Sequence, residues 1–126
     1  MALSRAAMMV KKRMSAVVTV QRALEAMKQE WQELANDDRA LGEELVWQLL
    51  LEKRQLQRQA AACGLKNWVL LRRAGITGRR LQLMKLRYVK GLSWATVIQT
   101  MDRSKQHLMR EHNRALEQIA AAGGGQ

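Results

Sequence analysis

Residues 93–116 read SWATVIQTMDRSKQHLMREHNRAL, and two serines in that stretch set the reading of the whole chain. Ser93 and Ser104 each stand immediately before a run with helical apolar spacing. There a hydroxyl can accept from the orphan N–H groups of a first helical turn. Trp94, Val97, Ile98 and Met101 share one face of the first run; Leu108, His112, Ala115, Leu116 and Ile119 share one face of the second. Only Met101, Asp102 and Arg103 precede Ser104 in the connection. Asp102 falls where such a turn needs a left-handed backbone, which Asp tolerates better than most side chains. Two capped helices joined this tightly predict a helix-turn-helix. The outward side of the second helix then carries Lys105, Gln106, Met109, Arg110 and Asn113 near its amino terminus. These are residue types that reach base edges and phosphates from a helix laid in the major groove.

The rest of the chain agrees with a helical fold. Its 126 residues make one domain, or a small domain with an extension. Proline, the strongest helix breaker, is absent. Ala, Leu, Gln, Arg, Lys, Glu and Met dominate, all good helix formers. Phenylalanine is absent and Tyr88 is the sole tyrosine, so burial rests on aliphatic side chains, Met and the tryptophans Trp31, Trp47, Trp68 and Trp94. The expected class is all-α, an amino-terminal helical hairpin or coiled-coil-like region followed by a helix-turn-helix domain.

Residues 1–13 form a basic arm, helical or frayed. From Val17 the apolar positions run Val17, Val20, Leu24, Met27, Trp31 and Leu34, a spacing of alternating threes and fours that suits a helix packed along one seam. Asn36, Asp37 and Asp38 supply turn chemistry, with Asp37 or Asp38 as the cap of a second helix from about Arg39 to Ala62. Leu41, Leu45, Leu49 and Leu56 share a face of that helix. Val46, Trp47 and Leu50 widen the stripe enough for burial against the first helix, against a second copy, or both. Gly64 is expected as its C-cap. A short helix over Leu65–Arg73 closes at Gly75, and a further helix spans Arg79–Lys90, with Leu81, Met84 and Tyr88 inward and Gly91 past its end. The division is residues 1–63 for packing or oligomerisation, 64–122 for DNA binding, and a flexible tail at 123–126.

Charge is divided unevenly along this layout. Residues 1–63 hold ten Lys/Arg against eight Asp/Glu; residues 64–126 hold twelve against three. Nine unbalanced positive charges in half a small chain point to a polyanion, and to nucleic acid ahead of an acidic protein or a membrane surface. Lys11, Lys12 and Arg13 interrupt any signal-peptide core, and the uncharged run Met14–Gln21 is too short to cross a bilayer. Cys63 is the only cysteine, so no intrachain disulfide or cysteine-built zinc site is possible. A buried thiol in a reducing bacterial cytoplasm, near the nucleoid, is the expectation.

Leu86-Arg87-Tyr88, Gly91, Ser93-Trp94, Ser104 and then His112-Asn113-Arg114-Ala115-Leu116 resemble the carboxy-terminal helix-turn-helix of ArpU-type phage transcriptional regulators. They are similar, more distantly, to the fourth region of bacterial sigma factors. In both families a Ser caps the recognition helix and an Ala-Leu pair follows eleven and twelve residues later, as Ser104, Ala115 and Leu116 do here. The resemblance covers about residues 79–120. Ile98 stands where those families have a small residue, and Asp102 where they have glycine. The resemblance implies a phage or prophage origin, regulation of transcription and RNA polymerase as a possible partner. Carried over by position, Lys105, Gln106, His107 and Arg110 face bases or phosphates, while Arg79, Arg80, Lys90 and Arg103 clamp the backbone.

Other chemistries find little support. His107 and His112 are five apart without a neighbouring Cys, and His112 on the packing face reads as a satisfied core histidine. Glu43, Glu44 and Glu52 have no convergent partner for carboxylate catalysis. Gly123–Gly125 follows no strand and precedes no Lys-Ser/Thr, so it is no phosphate loop. The tryptophans read as core before base-stacking platforms. No enzyme, metal site or cofactor is expected. Beside a dimeric DNA-binding regulator, two alternatives remain: a phage small terminase subunit assembled as a ring, and an inhibitor acting on a host nucleoprotein complex.

Overall fold

The computed structural model of the chain describes residues 2–35 and 42–123. It is all-α, with α1 (Arg5–Met14), α2 (Ala16–Ala35), α3 (Glu43–Arg73), α4 (Gly78–Tyr88), α5 (Trp94–Met101) and α6 (Lys105–Ala121). The caps expected at Asp37 or Asp38, the helix start at Arg39, Leu41 and the tail beyond Gly123 lie outside the described residues.

The basic arm is a docked helix. Ser4 Oγ accepts from the Ala7 N–H at 3.1 Å, which caps α1. The Ser4 N–H in turn donates to Glu117 Oε1 at 2.8 Å, tying the cap to α6. Ala7, Val10 and Met14, at i, i+3 and i+7, are completely buried where α1 packs on α6. The exposed Lys11, Lys12 and Arg13 gave the segment its charged look and hid that stripe. Ser15 joins α1 to α2 as one long bent element. Its hydroxyl donates to the Lys11 carbonyl at 2.6 Å, a local bond that bends helices by competing with the backbone ladder.

Helices α2 and α3 pack on each other along the predicted seam. Val17 and Leu24 are buried, whereas Val20, Met27, Trp31 and Leu34 are half-buried. A pair of helices alone covers each seam from one side, so burial falls off toward the far end of the pair. The buried Asn67 fixes the near end: its Nδ2 donates to the Met14 carbonyl at 3.0 Å and the Tyr88 carbonyl at 2.7 Å. These are the last residues of α1 and α4, so one amide satisfies two carbonyls that helix ends leave orphaned.

The expected helix end at Gly64 is not there. α3 runs unbroken from Glu43 to Arg73, and the separate Leu65–Arg73 helix is its final turns. Gly64 has ordinary helical φ and is buried against α4; a Cβ there would sit 2.7 Å from the Val89 carbonyl oxygen. The glycine serves a close helix crossing, which outweighs its propensity cost of about 1 kcal/mol. The boundary drawn between residues 63 and 64 therefore falls inside one helix, and Cys63 is half-buried rather than enclosed.

The main core gathers Ala7, Val10 and Met14 with Leu71, Ile76, Met84, Tyr88, Ala115, Leu116 and Ile119. A second cluster joins Leu83, Leu86, Val97 and Leu108, ringed by Leu92, Trp94, Ile98 and Met101. α4 serves both, with Met84 and Tyr88 on one side and Leu83 and Leu86 on the other. Among the described residues no helix is long and apolar enough to cross a membrane.

Candidate nucleic-acid interface

The carboxy-terminal three helices are built as their serines and glycines predict. Gly91 turns the chain after α4 at φ +70°, and a Cβ there would lie 3.1 Å from the Val17 carbonyl oxygen. Both the backbone angle and the close approach of α2 therefore require glycine. Ser93 Oγ accepts from the Thr96 N–H at 3.2 Å to cap α5. Asp102 closes that helix in the left-handed region, φ 51° and ψ 48°, and its N–H bonds to the Ile98 carbonyl. Ser104 Oγ then accepts from the His107 N–H at 3.2 Å to start α6.

Side chains lock the three helices together. Leu108, His112, Ala115, Leu116 and Ile119 are all buried, as their spacing predicts. His112 lies at the junction: its Nε2 is 2.6 Å from the Tyr88 hydroxyl of α4, and the Trp94 ring of α5 meets it edge-on at 4.9 Å. Its Nδ1 is 3.1 Å from Asn113 Oδ1. A neutral ring that donates from Nδ1 and accepts from Tyr88 at Nε2 satisfies every group. Burial pushes the His112 pKa down to about 4, so that neutral form holds at physiological pH. Burial also raises the Tyr88 phenol.

At the other end of α4, Arg80 Nε donates to Glu111 Oε2 at 2.9 Å and Nη1 to Gln118 Oε1 at 3.2 Å. The Arg80 hydrogen bond holds the Glu111 carboxyl below the usual carboxylate range. Gln118 Nε2 donates on to the Ala74 carbonyl at 2.9 Å. Arg87 Nη1 bonds the Leu92 carbonyl at 2.8 Å while its guanidinium stacks 5.0 Å from Trp94. Arg72 and Lys85 each sit 5.7 Å from the Trp68 ring.

These contacts sort the basic side chains. Lys105, Gln106 and Arg110 are exposed on α6, and Arg79, Lys90 and Arg103 are exposed nearby or at helix ends. His107 is half-buried. Asn113 is half-buried, with its side-chain carbonyl on His112. Arg80 differs from the expectation of a free clamp, because Glu111 and Gln118 hold it as a strut between α4 and α6.

Arg79, Arg80, Arg103 and His107 come together around one open cleft of about 520 Å³, floored by Leu83, Met101 and Leu108 and bordered by Glu111. Lys90 lies at the far end of α4 and does not line it. The cleft separates the start of α4 from the α5–α6 connection, so positive charge flanks the amino-terminal end of α6. Sequence reasoning missed the stacking of Arg72 and Lys85 on Trp68 and of Arg87 on Trp94. The signal was the nearness of basic residues to tryptophans, at i+4 for Trp68 and Arg72. Among the described residues no cluster of three or more His, Cys, Asp or Glu side chains converges as metal ligands would.

No protein-family model, curated protein or solved structure matches the chain.

Proposed function

We propose that this protein binds duplex DNA through α5 and α6 acting as a helix-turn-helix, and that it regulates transcription in a phage or prophage. The observation that carries the reading is the exposed set Lys105, Gln106 and Arg110 at the amino-terminal end of a helix whose inward side is wholly buried. α5 contacts it through Trp94 on His112 and Val97 beside Leu108, and Asp102 makes the turn. In this reading Gln106 pairs with a base edge, adenine being its usual partner. Lys105 lies in the first turn, where the helix terminus itself favours phosphate. Arg79 and Arg103 hold the sugar-phosphate backbone on either side of the cleft, and RNA polymerase is a candidate neighbour at a promoter.

The α2–α3 pair is the oligomerisation element of this reading, with a dimer favoured. The exposed Trp47, Leu50 and Leu51 also suit a ring-forming packaging subunit, which makes that the second reading. Selecting bound duplexes from a random pool tests the first. A recovered consensus supports a regulator, and a pool with no enrichment at any position rejects sequence-specific binding.

A further inference from the structure

The face of α3 that points away from α2 is where a second copy of the chain would be seated. Val46, Leu49, Lys53, Leu56 and Ala60 are half-buried along the α2 side. Farther round the helix, Trp47 and Leu51 are each 60% exposed and Leu50 is 42% exposed. The three lie on one flank by helical geometry, at i, i+3 and i+4. Glu43 bounds this patch on its amino-terminal side and Arg54 on its carboxy-terminal side, both exposed and on the same flank. Among the described residues neither makes an ion pair or hydrogen bond within the chain.

We infer that two copies pair through this flank of α3, antiparallel, about a two-fold axis passing between residues 48 and 49. The register follows from the spacing. In an isologous pair each contact occurs twice. With the axis there, Trp47 of each copy meets Leu50 of the other, and Glu43 falls opposite Arg54. One arrangement thus buries Trp47 against Leu50 twice and pairs both bracketing charges with their opposites.

The same flank continues to Leu65 and Val69, which are also exposed. Antiparallel pairing over that whole length would centre on Arg58 and set it against its own copy, a like-charge contact that costs stability. The far half of the pair is therefore the favoured seat. It also carries Glu30, Glu33, Glu43, Glu44 and Glu52 against Lys28, Lys53 and Arg54, an acidic balance that DNA repels, so two copies joined there keep both basic ends free. The inference gives a surface and a register to the self-association proposed above.

Sedimentation equilibrium of the full chain without nucleic acid tests it. The expected result is a concentration-dependent equilibrium between the 14.4 kDa chain and a species of twice that mass. Trp47→Glu should weaken dimerisation about thirtyfold or more, as loss of a central aromatic anchor does. Glu43→Arg alone and Arg54→Glu alone should each weaken it, and the two combined should restore it. Circular dichroism identifies any variant that has failed to fold, and the charge swaps, on exposed side chains, keep the test decisive if Trp47→Glu does. A monomer at every concentration overturns both this surface and the oligomer reading. A dimer untouched by all these variants overturns the surface alone, and a ring of eight or more overturns the two-fold pairing.

Discussion

Acid should loosen this fold before its carboxylates titrate, because His112 is completely buried among Tyr88, Trp94 and Asn113. Its folded pKa of about 4 lies below the ordinary histidine value of 6.5. As pH falls below 6.5 the unfolded chain takes up this proton and the folded chain does not, so stability drops. The loss is progressive down to about pH 4 and levels off below it. Integrating the linkage from pH 8 to pH 5 gives a loss of about 2 kcal/mol, rising toward about 3 kcal/mol when the full shift is expressed. Urea unfolding followed by circular dichroism at both pH values measures it directly. His112→Gln keeps a polar side chain but has no proton to gain in that window. It should be less stable at pH 8, yet its loss on going to pH 5 should be smaller than the wild type's by about 2 kcal/mol. Equal pH dependence in wild type and variant would refute the claim that a neutral, buried His112 holds α4, α5 and α6 together.

Three further outcomes follow from particular contacts. Gly64→Ala should destabilise the fold by about 1–3 kcal/mol despite alanine's better helix propensity, since its Cβ meets the Val89 carbonyl and not a side chain that can swing away; thermal melts of the two proteins decide this, and a stabilised variant would contradict it. Asn67→Ala leaves the Met14 and Tyr88 carbonyls without their shared donor. It should cost about 1–3 kcal/mol in urea unfolding, and a change under 0.5 kcal/mol would place water at those carbonyls (about the size of an ordinary surface substitution). Arg103→Ala should weaken binding to selected and random duplex alike and lower the slope of affinity against salt by about one; an unchanged slope would remove Arg103 from the phosphate contacts.

The carboxy-terminal helices were legible because each boundary has its own chemistry. Ser93 and Ser104 cap, Gly91 and Asp102 take positive φ, and the spacing from Leu108 to Ile119 gives the buried face. Gly64 misled because a glycine serving a close helix crossing and one ending a helix look alike in sequence; Val89, its contact, lies 25 residues away. The docking of α1 was hidden for a related reason. Ala7, Val10 and Met14 make a narrow stripe whose partner, α6, comes at the other end of the chain. Arg80 looked like any exposed arginine until Glu111 and Gln118, about two turns apart on α6, were brought beside it.

The central claim is that α6 reads bases, and Gln106 is where it can be tested most directly. Gln106 is exposed, lies in the first turn of α6 and makes no contact that the fold needs. Binding of wild type and Gln106→Ala should be titrated on a selected site and on random duplex, at matched salt. The account predicts a loss of about 1–3 kcal/mol at the selected site and little change on random DNA. An equal loss on both would make this helix a phosphate-binding surface rather than a reader, and no binding of wild type to either duplex would contradict the account outright.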